Sequence, residues 1–385
     1  MHTVRDIPRL EHIPILVRAA LNVPIKHGHV ANDYRLRRAL PTIRFLSERG
    51  ARVILISHIE GADRQGTETL MPVAQALGKL LPHVSFFHET IGVRARDAVR
   101  NLLPGDILVL ENLRRDRGER MNDSAFAHEL AALADVFVQD SFDTCHRAHA
   151  SIIGVPKLLP SYAGLLLEEE VRELTKARTP KQTSLAVIGG AKFSTKEAVL
   201  DALLKTYGRV FVGGALAHDF LKASGREVGK SLVSGMNDDA VRNILRNPKL
   251  ILPVDSLVIP AHVALTPRAR SNARVASVGQ VHSNEVILDH GPATSALLER
   301  HAQQSKNILW NGPLGNYENG FVDATDAFAR SVASSGAHSV VGGGDTVASI
   351  ENLGLLSKFS FVSTGGGAML DFLANGTLPG IDALQ

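Results

Sequence analysis

Two lysines follow a glycine pair in the segment LAVIGGAKFSTKEAV. Lys192 and Lys196 come directly after Gly189 and Gly190, which end a short apolar run. Glycines let the backbone approach a phosphate closely, and the exposed N–H groups at a helix start attract negative charge. We therefore predict a strand, a glycine turn and a helix that carries both lysines on one face, reaching successive phosphates. A tight turn with two solvated lysines fits this segment alone equally well, and no GxxxxGK(S/T) motif occurs in the sequence.

The glycine-turn plan recurs further along the chain. In VVGGGDTVASI an acid, Asp345, stands at the start of the predicted helix, where it either caps the helix or binds Mg²⁺ together with nucleotide phosphates. In ILWNGPLGNYEN the polar Asn311 follows a strand, and Glu318 is placed to receive ribose hydroxyls or to be an ordinary surface acid. Backbone and side-chain contacts to a nucleotide are predicted for Gly189, Gly190, Lys196, Gly213, Gly214, Asn311, Pro313, Glu318, Gly343, Gly344, Asp345, Thr346, Gly366 and Gly367.

Basic residues follow the strands of the N-terminal half instead. Arginine forks suit the oxygens of phosphate and carboxylate groups, and their recurrence after four strands predicts a site for a small anion. A surface salt bridge is the alternative reading for each arginine taken singly. The candidate residues near this anion site are Arg18, Asn22, Arg35, His58, Arg114 and Arg147.

These residues must be positioned by repeated βα units. Short β-branched runs such as ARVILISH and DILVLEN alternate with amphipathic stretches, which is typical of parallel sheets buried on both faces. In such sheets the working loops lie at the carboxyl ends of the strands. The predicted fold class is α/β, with two doubly wound parallel-sheet domains joined by a helix and hinge.

Length and composition agree with a two-domain globular protein. At 385 residues the chain suits two cores, and a formal charge of +3 without a basic tail gives little support for nucleic-acid binding. The single cysteine, Cys145, excludes an intrachain disulfide. No apolar signal peptide or membrane-length apolar run occurs, so we expect a cytoplasmic protein without a membrane partner.

Eleven motifs in order resemble those of the phosphoglycerate kinase family over nearly the whole chain: LNVP, ALPTI, ISH, LENLR, HRAHAS, GGAK, GKSL, LPVD, WNGP, GGGDT and STGGGA. The resemblance implies a monomeric, two-lobed hinge enzyme that moves a phosphoryl group between ATP and the carboxylate of 3-phosphoglycerate, in glycolysis, gluconeogenesis or carbon fixation. It implies ATP/ADP and Mg²⁺, the metal held by Asp345. It also implies an acceptor domain over 1–162, a linking helix over 163–180, a nucleotide domain over 181–373 and a returning tail over 374–385.

Residue roles are implied in the same way. Arg35 and Lys192 would stabilise the transferring phosphoryl group, and Lys196 would hold nucleotide phosphates. Glu318 would receive the ribose. Asn22, His58, Arg114 and Arg147 would hold the acceptor.

Departures from the family pattern cluster in the acceptor half. RxDxN carries Ala20 in place of the Asp, and HLGRP has become His58-Ile59-Glu60-Gly61-Ala62, so that the Arg is Gly61 and an acid stands beside it. Asp143 replaces a small residue before Arg147, and in the nucleotide half Thr195 replaces an Asp between the lysines. We expect these changes to weaken binding of 3-phosphoglycerate, unless Arg64 compensates.

Three functions follow from this pattern. The first is a divergent kinase of 3-phosphoglycerate. The second is a paralogue that phosphorylates a different small carboxylate, and the third is a non-catalytic nucleotide-binding regulatory protein. The intact Lys192, Lys196, Asp345 and glycine loops argue against the third.

Overall fold

The computed structural model of the chain describes residues 1–60, 68–234, 238–263, 265 and 267–384. The chain divides into two compact units, which are described separately. Unit 1 is Met1–Arg172 with Thr377–Gln385, and unit 2 is Glu173–Gly376. In the part of the chain that is described, no helix is both long and apolar enough to cross a membrane.

Unit 1 contains a six-stranded parallel sheet in the order β5-β6-β4-β1-β7-β8 and a small β2–β3 hairpin. Strands β1 and β6, which have a neighbour on either side, are buried along their whole length, as expected for a sheet covered on both faces. The strands are β1 Pro14–Ala19, β2 Ile25–Lys26, β3 His29–Val30, β4 Arg52–Ile56, β5 Val84–Phe87, β6 Ile107–Leu110, β7 Val136–Asp140 and β8 Ser161–Ala163.

The helices of unit 1 cover this sheet. The first helix places Leu36, Ile43 and Leu46 in a core that also holds strand residues such as Val17 and Val53. The helices are α1 Tyr34–Ser47, α2 Met71–Gly78, α3 Val93–Arg100, α4 Arg117–Met121, α5 Ser124–Ala131 and α6 Leu165–Arg178, with the division between the two units falling inside α6.

Unit 2 repeats the plan with a parallel sheet in the order β11-β10-β9-β15-β16-β17. The chain order reverses between β9 and β15, the place in an open α/β sheet where a crevice forms and ligands bind. The strands are β9 Ser184–Ile188, β10 Arg209–Val212, β11 Leu250–Ile251, β12 Asp255–Pro260, β13 Arg274–Ser277, β14 Glu285–His290, β15 Asn307–Asn311, β16 His338–Gly342 and β17 Phe361–Val362.

The helices of unit 2 pack against its strands. Trp310 of β15 is fully buried and meets Phe328 edge to face, with ring centroids 4.9 Å apart. The helices are α7 Glu197–Thr206, α8 Leu216–Ala223, α9 Asp238–Leu245, α10 Pro292–Gln304, α11 Asp323–Ser334, α12 Gly344–Asn352 and α13 Gly367–Asn375. The last helix of the chain, α14 Pro379–Asp382, belongs to unit 1.

Two smaller sheets differ from the expectation of parallel strands throughout: the β2–β3 hairpin of unit 1 and a three-stranded sheet in unit 2 are antiparallel. Strands β12, β13 and β14 form a separate antiparallel sheet in unit 2. Alternating exposure along β13, with Ala276 buried and Val275 exposed, is the pattern of a strand with one solvated face. This sheet supplies one wall of the cavity described below.

Candidate active site

The loops that follow β9, β10 and β15 are joined by main-chain hydrogen bonds. The amide of Gly189 donates to the Asn311 carbonyl at 2.8 Å, and that of Gly190 donates to the Pro313 carbonyl at 3.1 Å. The amide of Gly213 donates to Ile188 at 2.9 Å, and that of Gly214 donates to Leu314 at 3.1 Å. The glycine loops predicted from the sequence therefore form one connected rim at the reversal point of the sheet.

Close packing explains why glycine is needed in this rim. A Cβ atom on Gly189 would lie 2.1 Å from the Pro313 oxygen and 2.6 Å from the Gly312 oxygen. Gly214 adopts a φ of +63°, and a Cβ there would lie 2.8 Å from the Gly190 nitrogen. Side chains at these positions would push the loops apart.

The two lysines do not share a helical face, and that prediction is wrong. A short 3-10 turn, Phe193–Thr195, separates them, and α7 begins only at Glu197. The turn is fixed by the Phe193 side chain, which is fully buried and meets Phe220 edge to face. Lys192 is exposed in extended backbone before the turn, while Lys196 is half-buried at the start of α7.

Lys196 lies against the glycine rim. A Cβ on Gly190 would be 3.3 Å from the Lys196 Nζ, and that ammonium lies 3.4 Å from the Thr195 hydroxyl. Burial lowers the pKa of Lys196, because a desolvated ammonium group favours the neutral form. The Thr195 hydroxyl donates to the Lys192 carbonyl at 3.1 Å, so the residue that replaces the family's Asp still orders this turn.

Asn311 connects the rim to the loop before α13. It is buried, and its Nδ2 donates to the Gly366 carbonyl at 3.3 Å. Gly366 precedes α13 and Gly367 is its first residue, so the side chain of Asn311 orients the start of this helix. The predicted contact of Asn311 with phosphates remains a prediction, and the side chain has a local structural role as well.

The start of α12 places an acid and a buried hydroxyl beside each other. Gly343 precedes the helix, and Gly344, Asp345 and Thr346 form its first turn. Burial raises the pKa of Asp345, and the charge of Glu318 raises it further because like charges disfavour the ionised form. The Thr346 Oγ1 is buried and has no hydrogen-bond partner among the described residues.

One cavity of about 660 Å³ brings several predicted residues together in unit 2. Its volume is in the range of sites for small molecules and cofactors. Of the predicted residues, those that line it are Gly190, Gly214, Pro313, Glu318 and Asp345.

Sequence reasoning missed the inner wall of this cavity. His218 of α8 and the β14 residues Leu288, Asp289 and His290 line it. Burial lowers the pKa of His290 to about 4 and raises that of Asp289 to about 7, so burial favours the neutral form of both side chains. The polar pair at the end of β14 was the available signal, because polar residues after a strand mark a working loop.

In unit 1, Arg18 is buried inside a polar network. It is 1% exposed, and its guanidinium donates to the hydroxyls of Ser151 and Ser57 at 3.1 and 3.2 Å and to the Ala19 carbonyl at 3.0 Å. Its Nη2 lies 2.9 Å from the His58 Nδ1. Burial and the neighbouring arginines lower the pKa of His58 well below its ordinary value, so the ring is neutral and accepts from Arg18. Arg18 therefore positions His58 and the strand ends.

Arg114 and Arg147 share an acidic neighbour. The Arg114 guanidinium is buried, and its Nη1 is in ion-pair contact with the Glu60 carboxylate. The Arg147 Nη1 lies 3.8 Å from the same Glu60 oxygen. Within the described residues, the Nε and Nη2 of Arg114 have no hydrogen-bond acceptor.

Arg35 approaches the second acid that departs from the family pattern. Its Nη1 donates to the Asn22 carbonyl at 2.7 Å and lies 3.9 Å from the Asp143 carboxylate. Asp143 in turn accepts from the Ser141 hydroxyl at 2.6 Å. The Asn22 Oδ1 accepts from the Glu60 amide at 3.3 Å, so Asn22 links Arg35 to Glu60.

The remaining departures are placed differently. Ala20 is buried at the end of β1 and presents only a methyl group where the family's Asp is expected. Gly61 and Arg64 lie outside the described residues. No group of three or more His, Cys, Asp or Glu that could bind a metal ion occurs in the described ranges.

The chain matches known proteins along its whole length. The family model described as phosphoglycerate kinase matches residues 4–376. The phosphoglycerate kinase of Azorhizobium caulinodans is 42% identical over 384 residues and covers 96% of each chain. That of Rubrobacter xylanophilus is 42% identical over 389 residues, covering 99% of this chain and 97% of the relative.

Solved structures agree with these sequence matches. The phosphoglycerate kinase of Coxiella burnetii superposes with a TM-score of 0.82 at 38% identity, covering 99% of this chain and 98% of that one. That of Pyrococcus horikoshii gives 0.87 at 29% identity, covering 100% and 98%. The predicted α/β fold class and the predicted enzyme class, a phosphotransferase, are confirmed, and the chain belongs to the phosphoglycerate kinase family.

Proposed function

We propose that this protein transfers a phosphoryl group reversibly between ATP and the carboxylate of 3-phosphoglycerate. The observation that carries the proposal is the cavity of about 660 Å³ in unit 2, where residues of separate glycine loops meet Glu318 and Asp345. A second support is the cluster of Arg35, Arg114 and Arg147 near Asn22 and Glu60 in unit 1. Membership of the phosphoglycerate kinase family supports assigning the cavity to the nucleotide and the arginine cluster to the acceptor.

The glycine rim and the helix starts are proposed to hold the nucleotide. Backbone N–H groups at the starts of α12 and α13 attract phosphate oxygens, and no Cβ blocks their approach at Gly344. Lys196, half-buried beside Gly190, supplies a positive charge next to this rim. Glu318 is exposed at the mouth of the cavity, where it can accept from ribose hydroxyls.

Asp345 fits a proposed Mg²⁺ site. A carboxylate whose ionised form is disfavoured by burial and by Glu318 gains stability from a nearby cation. Because the described residues contain no larger ligand cluster, the ion would be held by Asp345 and nucleotide phosphates, the usual arrangement for this metal. When bound, Mg²⁺ would neutralise charge on the phosphates.

The chain's own cations are proposed to complete the catalysis. Lys192, exposed and outside the helix, and Arg35 are each assigned to stabilise the transferring phosphoryl group. Asn22, His58, Arg114 and Arg147 are assigned to the acceptor, with Arg18 holding His58 in place. Positioning and charge neutralisation account for most of the rate in such reactions. We further propose that the enzyme is monomeric and cytoplasmic and that it closes its hinge during catalysis.

The deciding experiment is steady-state turnover of purified protein with MgATP and 3-phosphoglycerate, followed by release of ADP. We expect turnover in the ordinary range for kinases, roughly 1 to 100 per second, and loss of that turnover in a chelator. Lys358→Ala, an exposed lysine of unit 2 outside the site, is the charge-matched control and should turn over like the wild type. Tight MgADP binding with no turnover on 3-phosphoglycerate would reject the acceptor assignment.

A further inference from the structure

Arg114 is a buried cation with most of its hydrogen-bonding capacity unused. Its side chain is 1% exposed, and burial together with Arg147 and Arg18 lowers its pKa to about 9. Its Nε and Nη2 find no acceptor among the described residues. A buried guanidinium in this state favours an anion that can bind along its forked edge.

The nearby acids are not equally available to it. Glu119, whose charge also reaches Arg114, is buried and accepts from the amide and hydroxyl of Ser151 at 2.9 and 2.6 Å. Glu60 contacts Arg114 directly, and the same carboxylate oxygen lies 3.8 Å from Arg147. Glu60 is thus the acid that lies between the two arginines.

We propose that the Glu60 carboxylate is the resident counter-ion of the Arg114–Arg147 pair, and that an acceptor anion binds by displacing it. The inference rests on the proposed function, because it names what occupies the acceptor site of that function. Glu60 stands where the family pattern has a glycine, so the competing carboxylate is a property of this chain.

Geometry gives the incoming anion the advantage. Glu60 meets Arg114 at Nη1 alone, whereas a phosphate or carboxylate of the acceptor can accept from Nε and Nη2 together. The Glu60 side chain is 34% exposed, so its carboxylate reaches solvent without crossing the core. Its amide stays bonded to Asn22, which keeps the carboxylate close and its local concentration high.

The consequence is weakened binding of every anion that uses this pair. An intramolecular carboxylate competes at each encounter, so removing its charge should tighten acceptor binding by roughly tenfold. Its removal should also tighten binding of a simple tetrahedral anion, because the competition does not depend on the rest of the acceptor.

The test compares Glu60→Gln with Glu89→Gln. Glu89 is a matched control in unit 1: its side chain is 33% exposed and is ion-paired with Arg94 at 2.9 Å. Sulfate and 3-phosphoglycerate are titrated separately into nucleotide-free protein by calorimetry. We expect roughly tenfold tighter binding of both anions in Glu60→Gln and unchanged binding in Glu89→Gln. Equal or weaker sulfate binding in Glu60→Gln overturns the proposal.

The two probes separate this proposal from the choice of acceptor. Tighter sulfate binding in Glu60→Gln, with no binding of 3-phosphoglycerate to either protein, would support Glu60 as the counter-ion. The same result would reject 3-phosphoglycerate as the acceptor. Normal turnover of 3-phosphoglycerate with unchanged sulfate affinity in Glu60→Gln would reject the counter-ion alone. Glu60→Asp, which withdraws the carboxylate by one methylene, should bind sulfate with intermediate affinity; affinity equal to the wild type would contradict displacement from a contact position.

Discussion

Replacing Gly189 with alanine should open the glycine rim of unit 2. The added methyl would lie 2.1 and 2.6 Å from the Pro313 and Gly312 oxygens. Ordinary C···O contacts are about 3.3 Å, so the loops must separate by roughly 1 Å. That shift breaks the 2.8 Å bond from Gly189 to Asn311 and the 3.1 Å bond from Gly190 to Pro313. With buried groups left unpaired, we expect a loss of roughly 2 to 5 kcal/mol in the free energy of unfolding.

The assay is urea unfolding together with calorimetric titration of MgADP. Gly344→Ala is the matched control, because its added methyl meets no atom within 4 Å and lies in the first turn of α12. The control should unfold within about 1 kcal/mol of the wild type. Gly189→Ala should also bind MgADP at least about tenfold more weakly than the wild type. If Gly189→Ala is as stable as Gly344→Ala and keeps its MgADP affinity, close packing does not shape this rim.

Two further changes test other parts of the proposed function, and a third tests a buried acid of unit 1. Lys192→Ala should lower kcat by at least about a hundredfold while MgADP affinity stays within about threefold. The reason is that an exposed lysine acting in the transition state adds little to ground-state binding. Equal loss of kcat and of MgADP affinity would assign Lys192 to nucleotide binding. Asp345→Asn should remove most of the gain in ADP affinity that Mg²⁺ gives, measured with and without a chelator, and an unchanged gain would place the metal elsewhere. Burial raises the pKa of Asp140 from 3.8 to about 8, so its contribution to stability is full below pH 4 and is lost as the pH rises through 8. In urea unfolding, Asp140→Asn should therefore gain stability relative to the wild type as the pH rises from 4 to 8. If the free energies of unfolding of the two proteins change in parallel with pH, burial does not raise the pKa of Asp140.

Much of unit 2 could be predicted from sequence because its signals are local. A buried strand followed by glycines, as at Ile188 and Gly189, predicts where the strand ends. It also predicts that another part of the backbone packs closely against the glycines. The family motifs add the order of the loops. The position of Lys196 was not predictable in this way, because it depends on how Phe193 packs against Phe220, a contact between separate elements.

The polar contacts of unit 1 were harder to predict, because they too join residues that are far apart in the sequence. Arg18 reads in the sequence as a ligand-binding arginine, yet its hydrogen bonds go to Ser57, His58 and Ser151, which are far apart in the chain. The sequence marks Glu60 as a departure, but only the fold places its carboxylate beside Arg114 and Arg147. Long-range polar pairing has no sequence period, so pattern reasoning does not recover it.

Unit 1 is built from two separate segments of the chain, and this affects the order in which the two units can fold. Its first 172 residues are completed by residues after 376, and the Gly380 amide donates to the Cys145 carbonyl at 2.8 Å. During synthesis the segment that completes unit 1 emerges after all of unit 2. Because domains generally fold as they emerge, unit 2 can reach its native state while unit 1 still lacks α14. Unit 2, although it lies later in the sequence, is then completed before unit 1.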